Sequence, residues 1–325
     1  MKALVYDGVE TLGFRDVPDP VAEDGTHLIR VEAVGICGSD MHAYLGHDAR
    51  RPAPLILGHE AAGVIEGGAM GGRRVTVNPL VECGTCHACR TGRENLCPDR
   101  QIISMPPREG AFAQYITMPE RNLVTVPDDI PLAKAALAEP LAVSWHAVKL
   151  ALGAVHAADP RAALVLGGGA IGLAAALALR AMGVEDITIV EPNAGRRAFL
   201  SALGETAVAE GQGQFAIVID AVGYAATRAA ASALAAPGGV IAHVGLGEDT
   251  GGLDVRRMTL QEISFIGTYT YTAQDFRDTA AAIFDGRLGA LDWCQHRPLS
   301  QGAAAFAELR QGTVAEPKII LEPWT

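Results

Sequence analysis

Two groups of side chains in this sequence have the types to hold a metal. Cys83, Cys86, Cys89 and Cys97 lie in the run CGTCHACRTGRENLC, spaced Cys-x2-Cys-x2-Cys-x7-Cys. Four thiolates close a tetrahedral zinc shell and leave no position for a substrate, so this set is expected to be structural. His87 lies inside the loop and is expected to be exposed, since four cysteines already suffice. The second group is Cys37, in CGSDMH, with His59 and Glu60, in GHE. One soft and two harder ligands suit zinc, and three protein ligands leave a coordination position open, as in a catalytic site. Spacing alone does not single these three out. A dinucleotide site elsewhere in the chain does, because nicotinamide chemistry needs an electrophile to polarise a carbonyl. Cys294, the sixth cysteine, reads as an ordinary buried thiol.

That dinucleotide site is the G-x-G-x-x-G of Gly167, Gly169 and Gly172, directly after the apolar run AALVL and directly before a helical stretch that includes Ala170 and Ile171. The first glycine permits a tight turn and the second lets the backbone approach a pyrophosphate. The third lets helix and strand pack closely, while the helix N-terminus supplies oriented N–H donors. The acid expected about 20 residues further on is Glu191. Its carboxylate can accept the ribose hydroxyls and would repel a 2′-phosphate, which favours NAD. Arg196 and Arg197 follow closely and pull the other way, since an arginine there can pair with such a phosphate.

The elements that must position these residues change in texture along the chain. Up to about residue 130 the pattern is short strands separated by Pro- and Gly-rich turns such as DVPDP and MPPREG. From about residue 132 it turns Ala/Leu-rich and helical, with Pro140 interrupting, and then alternates apolar strands with helices. That alternation means a parallel sheet covered on both faces. ISFIGTYTY reads as its last strand, and KIILEP near the C-terminus as another strand. Net charge is −11 and no basic stripe is present, which argues against a nucleic-acid partner. No apolar run has a membrane-spanning pattern, and the N-terminus MKALVYDGVE does not read as a signal peptide. A soluble cytoplasmic protein is expected, and in a reducing compartment clustered cysteines are more often metal ligands than disulfides.

Taken together, GICGSDMH, LGHEAAGVI, the four-cysteine loop, ALAEPLAVSWHAV, VLGGGAIGL and PGGVIAHVG resemble the zinc-dependent medium-chain dehydrogenase/reductase family, in its polyol (sorbitol and threonine dehydrogenase-like) branch. The resemblance implies an α/β fold: a Rossmann doubly wound parallel sheet plus a GroES-like β-rich catalytic domain, with the active site in the cleft between them. The expected division is a catalytic domain over 1–143, a Rossmann domain over 144–272 and a C-terminal return to the catalytic domain over 273–325. By the same resemblance Cys37 and His59 match catalytic zinc ligands, and Glu60 matches a glutamate that binds the zinc or lies beside it. Glu139 stands where classical members have a third zinc cysteine. Ser39 matches the hydroxyl that takes the alcohol proton, and His42 the histidine that passes it to solvent. Arg196 matches an arginine laid against the adenosine of NAD, and Tyr44 an aromatic residue of the substrate pocket. Two departures stand out. The segment GVIEGGAMGGRRVTV is compressed, and Thr270 replaces an arginine that holds the polyol in sorbitol dehydrogenases.

The expected function is reversible oxidation of a secondary alcohol or polyol to a ketone, with two zinc ions per chain and NAD, in a homo-oligomer (dimer or tetramer). Two rivals are a zinc-free quinone or enone reductase on the same scaffold and a nicotinamide-binding sensor without turnover. Metal content separates the first from the expected enzyme, and a substrate panel separates the second.

Overall fold

The computed structural model describes residues 1–156 and 161–325. The chain forms two compact units. The first comprises residues 1–139, 272–286 and 290–325, and the second residues 140–271 and 287–289.

The first unit is built around the strand Thr26–Gly35, whose residues alternate between partly and fully buried positions before turning wholly buried at its end. On one side it pairs antiparallel with Glu60–Glu66, in a register that sets Gly35 opposite Glu60. On the other it pairs with Lys318–Glu322, with Gly35 opposite Ile320. Cys294–Pro298 extends the sheet as a parallel edge strand. The compressed segment between Glu60–Glu66 and Arg74–Val77 is a tight antiparallel connection. Its glycines Gly67, Gly68 and Gly72 all take positive φ, which a glycine adopts at little cost. Phe112, Phe306, Leu4 and Ile29 are fully buried in the core of this unit. Burial of each is worth roughly 1.5–3 kcal/mol.

The expectation of strands alone before residue 130 needs correction. The segment Gly38–Tyr44 is a helix, and a second short helix, His87–Arg90, lies inside the cysteine loop. Asp40, Ala43 and Tyr44 form the buried face of the first helix, the three- and four-residue spacing of one helical side.

The second unit holds a six-stranded parallel sheet. Ala163–Leu166 is flanked by Ile187–Val190 on one side and Phe215–Asp220 on the other, so strand order reverses there. Open α/β sheets bind ligands beyond the strand C-termini at such a point. Pro140 falls in the first turn of the helix Ala138–Ala154, where its missing N–H has no intrahelical acceptor, so the helix is not interrupted. The last strand is shorter than GTYTY suggested. It ends at Gly267, and Thr270 takes the left-handed φ of 45°, which extended backbone cannot contain.

Candidate active site and cofactor site

The cysteine loop comes together as four free thiols whose sulfurs all lie within 4.8 Å of one another. The Cys83–Cys89 and Cys86–Cys89 Sγ separations are 3.9 and 3.4 Å. A disulfide needs about 2.05 Å. Four sulfurs about 2.3 Å from a common tetrahedral centre stand roughly 3.8 Å apart, so the loop fits a zinc ion. Backbone N–H groups of Cys86 and Cys89 point at the sulfurs of Cys83 and Cys86. Donors from Thr85 and Cys86 bring the Cys83 thiol down to about 6, while burial and the Cys86 sulfur push Cys89 up to about 12. Sulfurs this close oppose each other's ionisation, and a divalent cation is what lets all four ionise. His87 is exposed at the loop surface.

The second cluster is assembled from distant segments. Cys37 caps the helix Gly38–Tyr44, Glu60 begins the strand Glu60–Glu66, and His59 immediately precedes that strand. One ligand atom from each of Cys37, His59 and Glu60 lies within 4.8 Å of the other two. His59 and Glu60 are buried and Cys37 is half-buried. Glu139 is also buried, in the first turn of the helix Ala138–Ala154, but is not part of this close group. Gly58 holds the local backbone at φ 90°, and a Cβ there would strike the Phe112 ring at 2.5 Å.

Three residues that sequence reasoning missed organise the cluster. Asp40, fully buried, accepts the N–H of Cys37 at 3.0 Å and of Gly58 at 3.1 Å, tying the two ligand-bearing segments together. Its other contact is His59 Nδ1 at 3.4 Å. A carboxylate on one ring nitrogen leaves the other for a metal. Burial opposes ionisation of Asp40, but the facing His59 and the hydrogen bonds outweigh it and hold the carboxyl below its usual range. Burial likewise opposes charge on His59, and Asp40 and Cys37 overcome it, raising the imidazole well above its ordinary value.

Ser104 places its Oγ 3.3 Å from the same Nδ1, from a fully buried left-handed residue of φ 70° whose carbonyl is held by Arg51. Lys318 bonds both oxygens of Glu60 at 2.7 and 2.8 Å. Burial opposes its charge, and Glu60 and Cys37 restore it. Of the three, only Asp40 left a trace in sequence, inside the CGSDMH motif.

Ser39 Oγ lies 3.4 Å from His59 Nε2, and His42, one helical turn further, is exposed. A half-buried hydroxyl followed by an exposed imidazole suits transfer of a proton outward. Tyr44, expected at the substrate, is instead packed in the core with its ring 5.2 Å from Phe306. It falls on the buried helix face with Asp40.

In the second unit Gly167 takes φ 97°, and a Cβ there would meet Val222 at 2.4 Å. A Cβ on Gly172 would sit 1.7 Å from the Gly167 carbonyl, so that glycine is required for packing. Gly169 caps the helix Ala170–Ala181 without a side-chain partner, and the space where its Cβ would lie is open. Ala170 and Ile171 supply the first N–H groups of that helix. This is a cradle for a pyrophosphate. Glu191 accepts the Gly168 N–H at 3.0 Å and the Asn193 N–H at 2.8 Å, which aims its carboxylate at the turn. Arg196 lies 3.7 Å from it, while Arg197 is bonded to the backbone carbonyls of Glu191 and Pro192.

Comparison with known proteins agrees with this geometry. Residues 23–128 match the alcohol dehydrogenase GroES-like domain, and residues 170–285 match the zinc-binding dehydrogenase domain. A Bacillus subtilis sorbitol dehydrogenase is 40% identical over 205 residues, 59% of this chain and 56% of that protein. A protein named "Probable D-xylulose reductase A" from Arthroderma otae is 31% identical across 95% of this chain and 94% of its own. The chain belongs to the zinc-dependent medium-chain dehydrogenase/reductase family, in its polyol branch. The dehydrogenase also superimposes, with a TM-score of 0.90 and 27% identity over 99% of its length, on 98% of an Escherichia coli oxidoreductase of unknown specificity. As a member of that family it is an oxidoreductase acting on CH–OH groups, with zinc and a nicotinamide dinucleotide as its cofactors. Among the described residues no helix is long and apolar enough to cross a membrane.

Proposed function

We propose that the protein oxidises a neutral secondary alcohol or polyol to the ketone, reversibly, with NAD. The observation that carries this reading is the meeting of Cys37, His59 and Glu60 with Ser39 Oγ, 3.4 Å from His59 Nε2. When bound, zinc supplies Lewis acidity that lowers the pKa of an alcohol hydroxyl, and nicotinamide accepts hydride. The chain's residues do the rest. Cys37, His59 and Glu60 or Glu139 hold the metal, Ser39 receives the hydroxyl proton, and His42 hands it to water. Glu191 orients the adenosine ribose. Its negative charge, with Arg197 already engaged and Arg196 beside the carboxylate, supports NAD over NADP.

Thr270 bears on the substrate. Its hydroxyl oxygen is buried and has no hydrogen-bond partner among the described residues. Without the arginine of sorbitol dehydrogenases, this position offers a neutral group to a substrate hydroxyl. The division into a catalytic domain over 1–143 and 273–325 and a cofactor domain over 144–272 is part of the same reading. Six free cysteines support a reducing, cytoplasmic location. A homo-oligomer is supported by the edge strand Ser264–Gly267, which carries the exposed Phe265.

The test is a panel of polyols, secondary alcohols, 3-hydroxy amino acids and sugars, each assayed with NAD and with NADP. Reduction of NAD by a neutral polyol or secondary alcohol, lost in Ser39→Ala, is the expected result. Zinc-loaded, NAD-binding protein that turns over nothing on the panel would reverse the conclusion.

A further inference from the structure

In the second unit, four main-chain carbonyls converge on one buried guanidinium. Arg228 lies in the helix Ala225–Leu234 and is 5% exposed. Its Nη1 donates to the carbonyls of Gly223 and Glu248 at 2.8 and 2.9 Å. Its Nε donates to Gly251 at 2.6 Å, and its Nη2 to Thr250. No carboxylate is among these partners, so the side chain acts as a rigid fork of donors and not as half of an ion pair. Glu248, Gly251 and Thr250 belong to the loop 244–252, which follows the strand Ala235–His243. Gly223 belongs to the turn after Phe215–Asp220, and the loop is laced to that turn. The N–H groups of Val244 and Gly245 reach the Asp220 carbonyl, and those of Gly247 and Glu248 reach Val222 and Gly223. A Cβ on Gly223 would lie 2.1 Å from the Gly245 carbonyl oxygen. The exposed Glu248 adds a second tie, accepting the Ala225 N–H at 2.7 Å.

The place of this loop in the sheet says what it serves. The glycine turn that cradles a pyrophosphate abuts Val222, which a Cβ on Gly167 would strike. Glu191, for the adenosine ribose, follows Ile187–Val190 on one side of Ala163–Leu166. The loop lies on the other side, beyond Phe215–Asp220. A dinucleotide anchored at its pyrophosphate, with its adenosine over Glu191, extends its nicotinamide half toward Val222 and this loop. There the loop presents an apolar side chain, Leu246, 76% exposed. We propose that Arg228 is a positioning residue for the cofactor: it fixes the loop 244–252 in the shape that receives the nicotinamide half, and leaves the adenosine half to Glu191 and the glycine turn. The proposal rests on the dinucleotide reading of that turn and is independent of both metal clusters. Without the guanidinium the loop carbonyls lose their donors and turn to water, so the loop samples open shapes. Affinity for the nicotinamide half then falls with the fraction of time the loop holds its receiving shape.

The test compares wild type with Arg228→Met, Arg228→Lys and Glu248→Ala. Each is titrated by calorimetry with NAD and, separately, with ADP, which carries the adenosine and pyrophosphate but no nicotinamide. Hydrogen exchange is followed in the loop 244–252 and in the helix Ala170–Ala181. In Arg228→Met, NAD binds about tenfold more weakly while ADP binds as in wild type. Exchange speeds up in the loop and not in that helix. Arg228→Lys, whose ammonium has fewer donors than there are carbonyls to hold, recovers part of the loss. If Arg228→Met does not fold, Glu248→Ala loosens the same loop from the surface and carries the same split between NAD and ADP, at smaller size. Equal weakening of NAD and ADP, the mark of a merely structural role, overturns the proposal. So does unchanged NAD affinity in a variant whose loop exchanges faster. Wild-type protein that binds neither nucleotide overturns the dinucleotide reading itself, and the inference with it.

Discussion

The two metal clusters of this dehydrogenase are built in opposite ways. The loop cluster draws all its ligands from residues 83–97, and three of its four cysteines are only half-buried. The dispersed cluster draws on a helix cap and a strand start, and is framed by Asp40 of that helix and by Ser104 and Lys318 from still other segments. A local loop can collapse onto a metal wherever it stands, whereas the dispersed cluster exists only once the sheet has formed. The first therefore depends on its metal for order. The second is ordered by the fold and presents a site to the metal.

The comparison is most sharply broken by variants that move one cluster alone. His59→Ala is expected to lower kcat/KM by at least about a thousandfold, since loss of metal polarisation costs several kcal/mol. Its loop zinc is retained, and zinc analysis falls from two ions per chain to one. Loss of the loop zinc as well would show that the two clusters are not independent.

Cys86→Ser acts the other way. We expect it to remove roughly 3 kcal/mol of stability and to open the loop to proteolysis, read by thermal unfolding and limited digestion. Protein that survives retains most of its kcat, and an early loss of kcat at an unchanged midpoint would contradict this.

Asp40→Asn tests the framework around His59. Weakening the partner of Nδ1 is expected to raise the rate of catalytic zinc loss by about 10- to 100-fold, with loop zinc unaffected. Equal loss from both sites would mean that the whole first unit had loosened.

The smallest effect is a contrast among thiols in zinc-stripped protein. Thiolates are the reactive form and accumulate above the pKa. At pH 7.5 Cys83, brought down to about 6 by Thr85 and Cys86, is mostly ionised. Cys294, pushed up to about 12 by burial, remains a thiol. Alkylation followed by peptide mass mapping is expected to label Cys83 well before Cys294, and the reverse order would refute these environments.

Much of the cofactor turn was legible because each glycine answers a local steric demand. Gly167 needs its positive φ, and Gly172 would strike the Gly167 carbonyl with any side chain. Glu191 was legible from its distance along one strand–helix–strand unit. The misreadings share a different cause. GTYTY has strand-forming residue types, yet pairing stops at Gly267 and Thr270 turns left-handed. Tyr44 was placed by resemblance at the substrate, but the helix period turns it into the core with Asp40 and Ala43.

The sequence by itself determined the parts whose chemistry is short-range: the four-cysteine loop, the glycine turn with its acid, and the change from β-rich to alternating α/β texture. Tertiary structure alone decided the partners of His59 and Glu60. Lys318 reaches Glu60, 258 residues away, because both flank Gly35 across one sheet. Ser104 reaches His59 across 45 residues through a buried left-handed turn. Such pairings follow from strand order and register, which depend on how the whole sheet buries its faces and leave no pattern in any single stretch of chain.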